Sequence, residues 1–339
     1  MKTSDFDYNL PPEFIAQTPA EPRDASRLLV LERATGQITH TIFREIGNFL
    51  NPGDLLVLNE TRVIPARLYG RKSTGGRLEI LLLRRVDAAT WDTLVGGKGM
   101  TAGKRLHLDD GPEGEVLAVL EGAERRIRFE TPLDEYLTRA GHVPLPPYIR
   151  TPLADANRYQ TVYAHHPGSA AAPTAGLHFT PELFARLEAQ GVQPAFVTLH
   201  IGLDTFAPVT VDDPRQHVIH TEWCQVSETT AAAVNRVKRD GGRVIGVGTT
   251  SVRTLESAAR FAPAGQCTGA FEGPTDIFIL PGFEFQVVDA MVTNFHLPKS
   301  TLLMMMSAFV GREQILATYE EAKRAGYRFF SFGDAMLIL

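Results

Sequence analysis

The chain has 339 residues, 44% hydrophobic and 22% charged, and a net charge of −5, so two domains with a large buried interior are expected, and low-complexity or repeat architectures are excluded. The acidic balance argues against a generally basic nucleic-acid binder. No apolar run reaches membrane-spanning length, the start MKTSDFDYNLPPEF is no signal peptide, and the only cysteines are Cys224 and Cys267, which together predict a soluble cytoplasmic protein without a disulfide framework.

In chain order, LLVLER (28–33) reads as a strand. TIFREIGNFL then places Ile42, Phe43, Ile46, Phe49 and Leu50 on one helical face before NPG stops it, and DLLVLNE (54–60) reads as a buried strand. From Val63 the texture changes to short β-like runs, RLEILLLRR, WDTLV, GEVLAVLE and RRIRFE, separated by Gly-rich or acidic turns. Between 60 and 150 there are 15 basic against 13 acidic residues, so this middle stretch is slightly positive in an otherwise negative chain. A short helix at LDEYLTRAG leads into HVPLPPYIRTP, whose four prolines make a stiff boundary.

Beyond it the pattern is strand–helix again. Thr180 caps a helix with Pro181 at its first position and Gly191 just past its end. AFVTLHIGL follows as a strand, TTAAAVNRVKRDGG as a helix and RVIGVG as a strand. VGTTSVRTLESAAR reads as strand, turn and helix, FEFQVVDAMVTNFHLPKSTLLMMMSAF as strand, loop and helix, and YRFFSFGDAMLIL closes on a strand. The predicted architecture is α/β: a large mixed-sheet α/β domain from residues 1–62 and 153–339, with a small all-β, barrel-like domain inserted at 63–152.

Polar residues gather where these strands end: His200 and Asp204 after AFVTL, Thr249, Thr250 and Ser251 after RVIGVG, and Asn294 and His296 after DAMVT. Ligands collect beyond the carboxyl ends of strands in open α/β sheets, so these clusters point to one shared crevice. The turn VGTTSVRTLES offers hydroxyls and free N–H groups at a helix start, a site for a phosphate or carboxylate that Arg253 can reinforce; an ordinary N-cap is the plainer alternative. GSAAAPTAGLHFT brings a nearly bare backbone, with Ser169 and Thr174, up to His178, either for tight packing or to admit a ligand. Ser169 does not sit in the G-x-S-x-G elbow of a serine hydrolase, and RVIGVG lacks the third glycine of a dinucleotide fingerprint. QHVIHTEWC carries His217, His220, Glu222 and Cys224 at a spacing that no single regular element can focus on a zinc ion, so no metal is expected. The run Met304–Met306 reads as core.

Taken together, GSAAAPTAGLHFT, TLHIGLDTFAPV, VGTTSVRTLES, TNFHLPKSTLLMMMSAF, YRFFSFGDAML, RDASRLLVL, LNETRVIPARL and LPPYI resemble, in this order-preserving set, the S-adenosylmethionine:tRNA ribosyltransferase-isomerase family of queuosine biosynthesis. The resemblance runs from Phe6 to the C-terminus. It departs at Asp204, where many relatives carry glycine, and in LVGGKGMTAGKRL, where relatives often show an Ala-Lys-Pro type segment. It implies transfer of the ribosyl part of S-adenosylmethionine to the 7-aminomethyl-7-deazaguanine at the tRNA wobble position, giving epoxyqueuosine and releasing adenine and methionine. S-adenosylmethionine is then a co-substrate and no cofactor is permanently bound.

That chemistry asks for a base next to the sulfonium, a hydrogen bond for departing adenine and an anchor for the methionine carboxylate. His178, His200 and His296 are the acid–base candidates, with Glu222 and Asp334 as supporting carboxylates; Thr249, Thr250, Ser251 and Arg253 are the candidates for the carboxylate. For the tRNA, Tyr148, Phe179 and Phe206 are candidate stacking residues, Arg62, Arg67, Arg71 and Lys72 candidate phosphate contacts, and Ser169 and Thr174 candidate contacts along the small-residue wall. A monomer is expected. The competing expectations are an S-adenosylmethionine-dependent RNA methyltransferase and a non-catalytic RNA-binding protein.

Overall fold

Runs of consecutive apolar residues make strands buried on both faces, and two such runs, Leu28–Leu31 and Leu55–Leu58, form interior strands of the large sheet in the computed structural model of the chain. The structure describes residues 1–97, 99–202 and 208–339. In chain order the regular elements are β1 (Arg27–Leu31), β2 (Ile38–Ile42), β3 (Leu55–Asn59), β4 (Thr61–Val63), β5 (Arg67–Lys72), β6 (Arg77–Arg85), β7 (Thr90–Val95), β8 (Arg105–Leu108), β9 (Glu113–Val119), β10 (Glu124–Phe129), α1 (Asp134–Ala140) and β11 (His166–Ser169). There follow α2 (Pro181–Ala189), β12 (Gln193–Leu199), β13 (Glu222–Val226), α3 (Glu228–Arg239), β14 (Val244–Val247), α4 (Thr249–Ala258), β15 (Phe271–Thr275), β16 (Ala290–Asn294), α5 (Thr301–Val310), α6 (Arg312–Arg324) and β17 (Ala335–Ile338).

The fold is α/β. Two compact units are present, one made of Met1–Thr61, Pro147–His166 and Ala172–Leu339, the other of Arg62–Pro146 and Pro167–Ala171. The larger unit holds a nine-stranded sheet in the order β15-β13-β12-β3-β14-β16-β17-β1-β2. Its centre, β12-β3-β14-β16, is parallel, while β17 runs against β16 and the outer pairs β12–β13, β13–β15 and β1–β2 are antiparallel. Alternation along each strand feeds two cores. Leu29, Leu55, Val57 and Val197 meet α5 and α6 through residues such as Met304, Met306 and Tyr319, whereas Leu28, Leu56, Leu58 and Val292 meet Leu183, Leu187 and Phe179 on the other face. The methionine run is core, as its sequence suggests.

The smaller unit is a closed six-stranded barrel, β10-β7-β6-β5-β8-β9, antiparallel at every junction. Inward residues Leu68, Ile80, Leu106, Val116 and Ile127 fill it. Gly70 lets β5 and β8 approach closely: a Cβ there would lie 2.3 Å from the His107 carbonyl oxygen.

Local signals set several boundaries. Thr180 Oγ1 accepts from Leu183 N at 3.1 Å with Pro181 in the first turn, and Gly191 follows α2 at φ +84°. The helix expected over 42–50 differs: it is a 3₁₀ helix, Phe43–Phe49, that buries Phe43 and Ile46, while Ile42 is the exposed last residue of β2. Side chains three apart eclipse in a 3₁₀ helix, so Phe43 and Ile46 share a face there as well. The strand expected from FEFQVV begins only at Ala290. Among the described residues no helix is long and apolar enough to cross a membrane.

Candidate active site

The four parallel strands end at Leu199, Asn59, Val247 and Asn294, side by side. The segments at the ends of β12, β14 and β16, with Ala172–Ala175, build a cleft of about 520 Å³, open mouth included, lined among others by Thr174, Thr249, Thr250, Asn294 and His296. Gly248, at φ +85°, swings the chain from β14 into α4, and among the described residues no side chain caps that helix start. Its first N–H groups and the hydroxyls of Thr249 and Thr250 therefore stand at the cleft, the arrangement that favours negative or electron-rich ligand atoms.

Asn59, fully buried, ties the edge together. It donates through Nδ2 to the Leu199 carbonyl at 3.0 Å and to Thr250 Oγ1 at 3.1 Å, and accepts through Oδ1 from the N–H groups of Thr61 and Leu199 at 3.1 Å each. One buried amide thus fixes the ends of β3 and β12 and the start of α4. Sequence reading missed it, because LNETRV looks like a strand end whose asparagine needs no partner. The available signal was an amide closing an otherwise wholly apolar strand.

A second chain of neutral groups runs behind the cleft. Thr174 Oγ1 donates to Asn294 Oδ1 at 2.9 Å, which turns Asn294 Nδ2 toward His178 Nε2 at 3.1 Å; His178 Nδ1 then faces Ser26 Oγ at 2.7 Å. With Nε2 accepting, the proton of the neutral ring sits on Nδ1. Burial, with Arg328 and Arg23 nearby, pushes the His178 pKa down to about 3, and Phe43 packs on the ring at 5.0 Å. His178 stands one hydrogen bond behind Asn294 and positions it.

His296 lines the cleft itself. Its Nε2 is 2.8 Å from Thr293 Oγ1, its N–H donates to Tyr319 Oη at 3.0 Å, and burial pushes its pKa down to about 3. His200 follows β12 and pairs through Nδ1 with Thr61 Oγ1 at 2.8 Å while stacking on Trp223 at 5.2 Å; burial, then His166, lowers its pKa to about 4. All three imidazoles are neutral near pH 7.

Other expected site residues lie elsewhere. Ser251 is fully buried, and its hydroxyl donates back to the Val247 carbonyl at 2.8 Å, so it serves the helix rather than a ligand. Arg253 points away from the α4 start to Glu222 on β13, and both line a neighbouring pocket with His217 and His220. Asp334 accepts from the N–H groups of Arg27 and Arg328, at 3.0 and 2.8 Å, and pins the turn before β17. Phe179 is fully buried between Phe43 and Phe184, which leaves it no face for a base. Tyr148 binds Ser331 Oγ at 2.6 Å and packs on Phe330, and both of those partners line the cleft. Asp204 and Phe206 lie outside the described residues.

Ser169 belongs to the smaller unit, fully buried, with its hydroxyl on the Ala171 carbonyl at 2.7 Å, so it serves a turn. Arg62 and Arg71 of that unit are exposed. Arg67 pairs with Glu79 at 3.0 Å, and Lys72 ends β5 half-buried. Arg67 and Arg71 share the outer face of β5 with Tyr69, an exposed aromatic that sequence reading passed over. Among the described residues the carboxylate and imidazoles of Glu60, His165 and His166 also converge, with ligand atoms within 4.8 Å. The N–H groups of both histidines donate to the Glu60 carbonyl, which accounts for that proximity.

A family model described as "Queuosine biosynthesis protein" matches residues 3–338. The chain belongs to this family. Family members include the S-adenosylmethionine:tRNA ribosyltransferase-isomerases of Carboxydothermus hydrogenoformans, 54% identical over 342 residues, and Symbiobacterium thermophilum, 55% identical over 344 residues, each alignment covering both chains completely. The crystal structure of the S-adenosylmethionine tRNA ribosyltransferase from Thermotoga maritima matches with a TM-score of 0.59 at 43% identity, covering 99% of this chain and 100% of that one.

Proposed function

We propose that this chain is an enzyme of queuosine biosynthesis, which transfers and isomerises the ribosyl moiety of S-adenosylmethionine onto a 7-aminomethyl-7-deazaguanine in tRNA and releases adenine and methionine. The observation that carries the reading is full-length identity above half to relatives bearing that activity in their names, together with a cleft built at the ends of parallel strands of the large sheet. The methyltransferase and pure-binder alternatives gain no support from those relatives.

In this reading the reacting part of S-adenosylmethionine lies in the cleft of the larger unit. The sulfonium acidifies the adjacent ribose carbon; His296, neutral and so in the form that can accept a proton, is the histidine that lines the cleft, and Thr293 orients its ring. The hydroxyls of Thr249 and Thr250 and the free N–H groups at the α4 start supply hydrogen bonds as adenine departs. Asn294, held by Thr174 and His178, offers a fixed amide beside them. His200 keeps a supporting place at the end of β12. The tRNA backbone meets the exposed basic side chains Arg62 and Arg71, with Arg67 and Lys72 beside them on β5, and Tyr148 acts through Phe330 and Ser331 at the cleft wall.

The test is product analysis with S-adenosylmethionine and tRNA carrying the precursor base. Adenine release that depends on the tRNA supports the reading; S-adenosylhomocysteine in its place overturns it.

A further inference from the structure

The residues of QHVIHTEWC that the cleft does not use line a second pocket of the larger unit. It holds about 460 Å³, open mouth included, and shares Leu302 with the cleft as a common wall. Its polar end is an ion pair almost removed from water: the Arg253 and Glu222 side chains are 6% and 5% exposed, and Arg253 Nη1 donates to Glu222 Oε2. Glu222 Oε1 also accepts from Gly202 N at 3.0 Å, and Arg253 Nε donates to the Ile277 carbonyl at 3.2 Å. Among the described residues Arg253 Nη2 is buried without a partner. A buried guanidinium N–H left unsatisfied costs free energy until an acceptor arrives, and Arg253 is a lining residue of the pocket.

The rest of the lining selects among acceptors. Ile279, Leu302 and Met305 form an apolar wall, Phe278 packs edge-on to His217 at 5.7 Å, and His217 and His220 stand toward the mouth. Arg253 and Glu222 cancel in charge, so a lone anion gains little there. A zwitterion gains at both ends, its carboxylate on Arg253 Nη2 and its ammonium toward Glu222, while an unbranched thioether side chain lies along the apolar wall. We infer that this pocket takes the α-amino-acid end of S-adenosylmethionine, and holds free methionine after the reaction, on the far side of Leu302 from the cleft. The inference rests on the activity proposed above and separates the substrate into two compartments: the adenosyl part among neutral hydroxyls, the amino-acid part on a buried ion pair.

Calorimetry on the full chain tests it with L-methionine, L-methioninol, which lacks the carboxylate, and 4-(methylthio)butanoate, which lacks the amine. Methionine binds, and each analogue binds about tenfold to a hundredfold more weakly, as expected for losing one charge-assisted hydrogen bond. Varying the ligand leaves the fold untouched. On the protein side, Arg253→Lys weakens methionine about tenfold because a point charge replaces a planar fork. Ile219→Trp, a substitution at the half-buried rim, blocks methionine while adenine still binds. Analogues that bind as well as methionine, methionine binding unchanged in Arg253→Lys, or no methionine binding up to the order of 10 mM each overturn the inference. Adenine release assayed on the same preparation separates the two claims. Release without methionine binding overturns the pocket assignment alone; carboxylate-dependent methionine binding without release overturns the activity and leaves an amino-acid site.

Discussion

The cleft and the pocket beyond Leu302 lie in one unit, yet they solve the problem of buried polarity in opposite ways. The cleft is built from neutral groups in closed chains, Thr174–Asn294–His178–Ser26 and Asn59–Thr250, in which every named hydrogen bond satisfies a partner. The neighbouring pocket is built on an ion pair with one donor left over among the described residues. The difference teaches where binding and where chemistry belong. A neutral, pre-satisfied wall holds a reacting ring without competing charges, whereas a buried charged pair gains most from a ligand that completes it.

The comparison breaks most visibly if Arg253 is cut away. Arg253→Ala leaves the buried Glu222 without its guanidinium counter-charge and costs about 3–5 kcal/mol of stability in urea unfolding, and Arg253→Met combined with Glu222→Leu recovers most of it. Equal losses in the single and double variants would contradict a coupled pair.

On the cleft side, His296→Gln lowers turnover about a hundredfold while leaving the unfolding midpoint nearly in place, because the amide fills the ring's place and can still meet Thr293 Oγ1 but is no proton acceptor. His178→Ala does the reverse in emphasis, with about 1–3 kcal/mol of stability lost because the Asn294 amide is orphaned. Steady-state kinetics beside denaturation curves reads both. A His178 variant with normal stability would remove the positioning role.

The neutrality of the cleft has its own signature in pH. His178 and His296 have pKa values of about 3 folded against an ordinary 6.5, so between those limits the unfolded chain binds more protons. Stability is therefore fully present above pH 6.5 and declines as pH falls toward 3, with a limiting slope of about 1.4 kcal/mol per pH unit for each histidine. His178→Gln flattens that slope. A slope unchanged in the variant would mean the ring is not held neutral by burial.

Much of this fold could be read in advance because its signals are local. The Thr180–Pro181 start of α2, the apolar runs of β1 and β3 and the turn at Gly248 each follow from a few adjacent residues. What escaped the sequence is long-range. Nothing in VGTTSVRTLES says that Arg253, four residues beyond Thr249, turns to β13, or that Ser251 spends its hydroxyl on the previous strand; helix phase puts neighbouring polar residues on different faces, and only the packed sheet decides which face meets the cleft. Asn59 shows the same limit, since its partners are 140 and 191 residues away.

The smallest expected effect concerns the barrel. Arg71→Ala on the outer face of β5 weakens tRNA binding a few-fold and lowers the salt slope by about one phosphate contact, and Tyr69→Ala weakens it without changing that slope. Filter binding across a salt series distinguishes them.

The chain is mixed with S-adenosylmethionine and tRNA carrying 7-aminomethyl-7-deazaguanine, and the small-molecule products are separated by chromatography. Adenine and methionine appearing together, in proportion to modified tRNA and only when that tRNA is present, is the predicted result. S-adenosylhomocysteine, or no adenine at all from the folded protein, would contradict it.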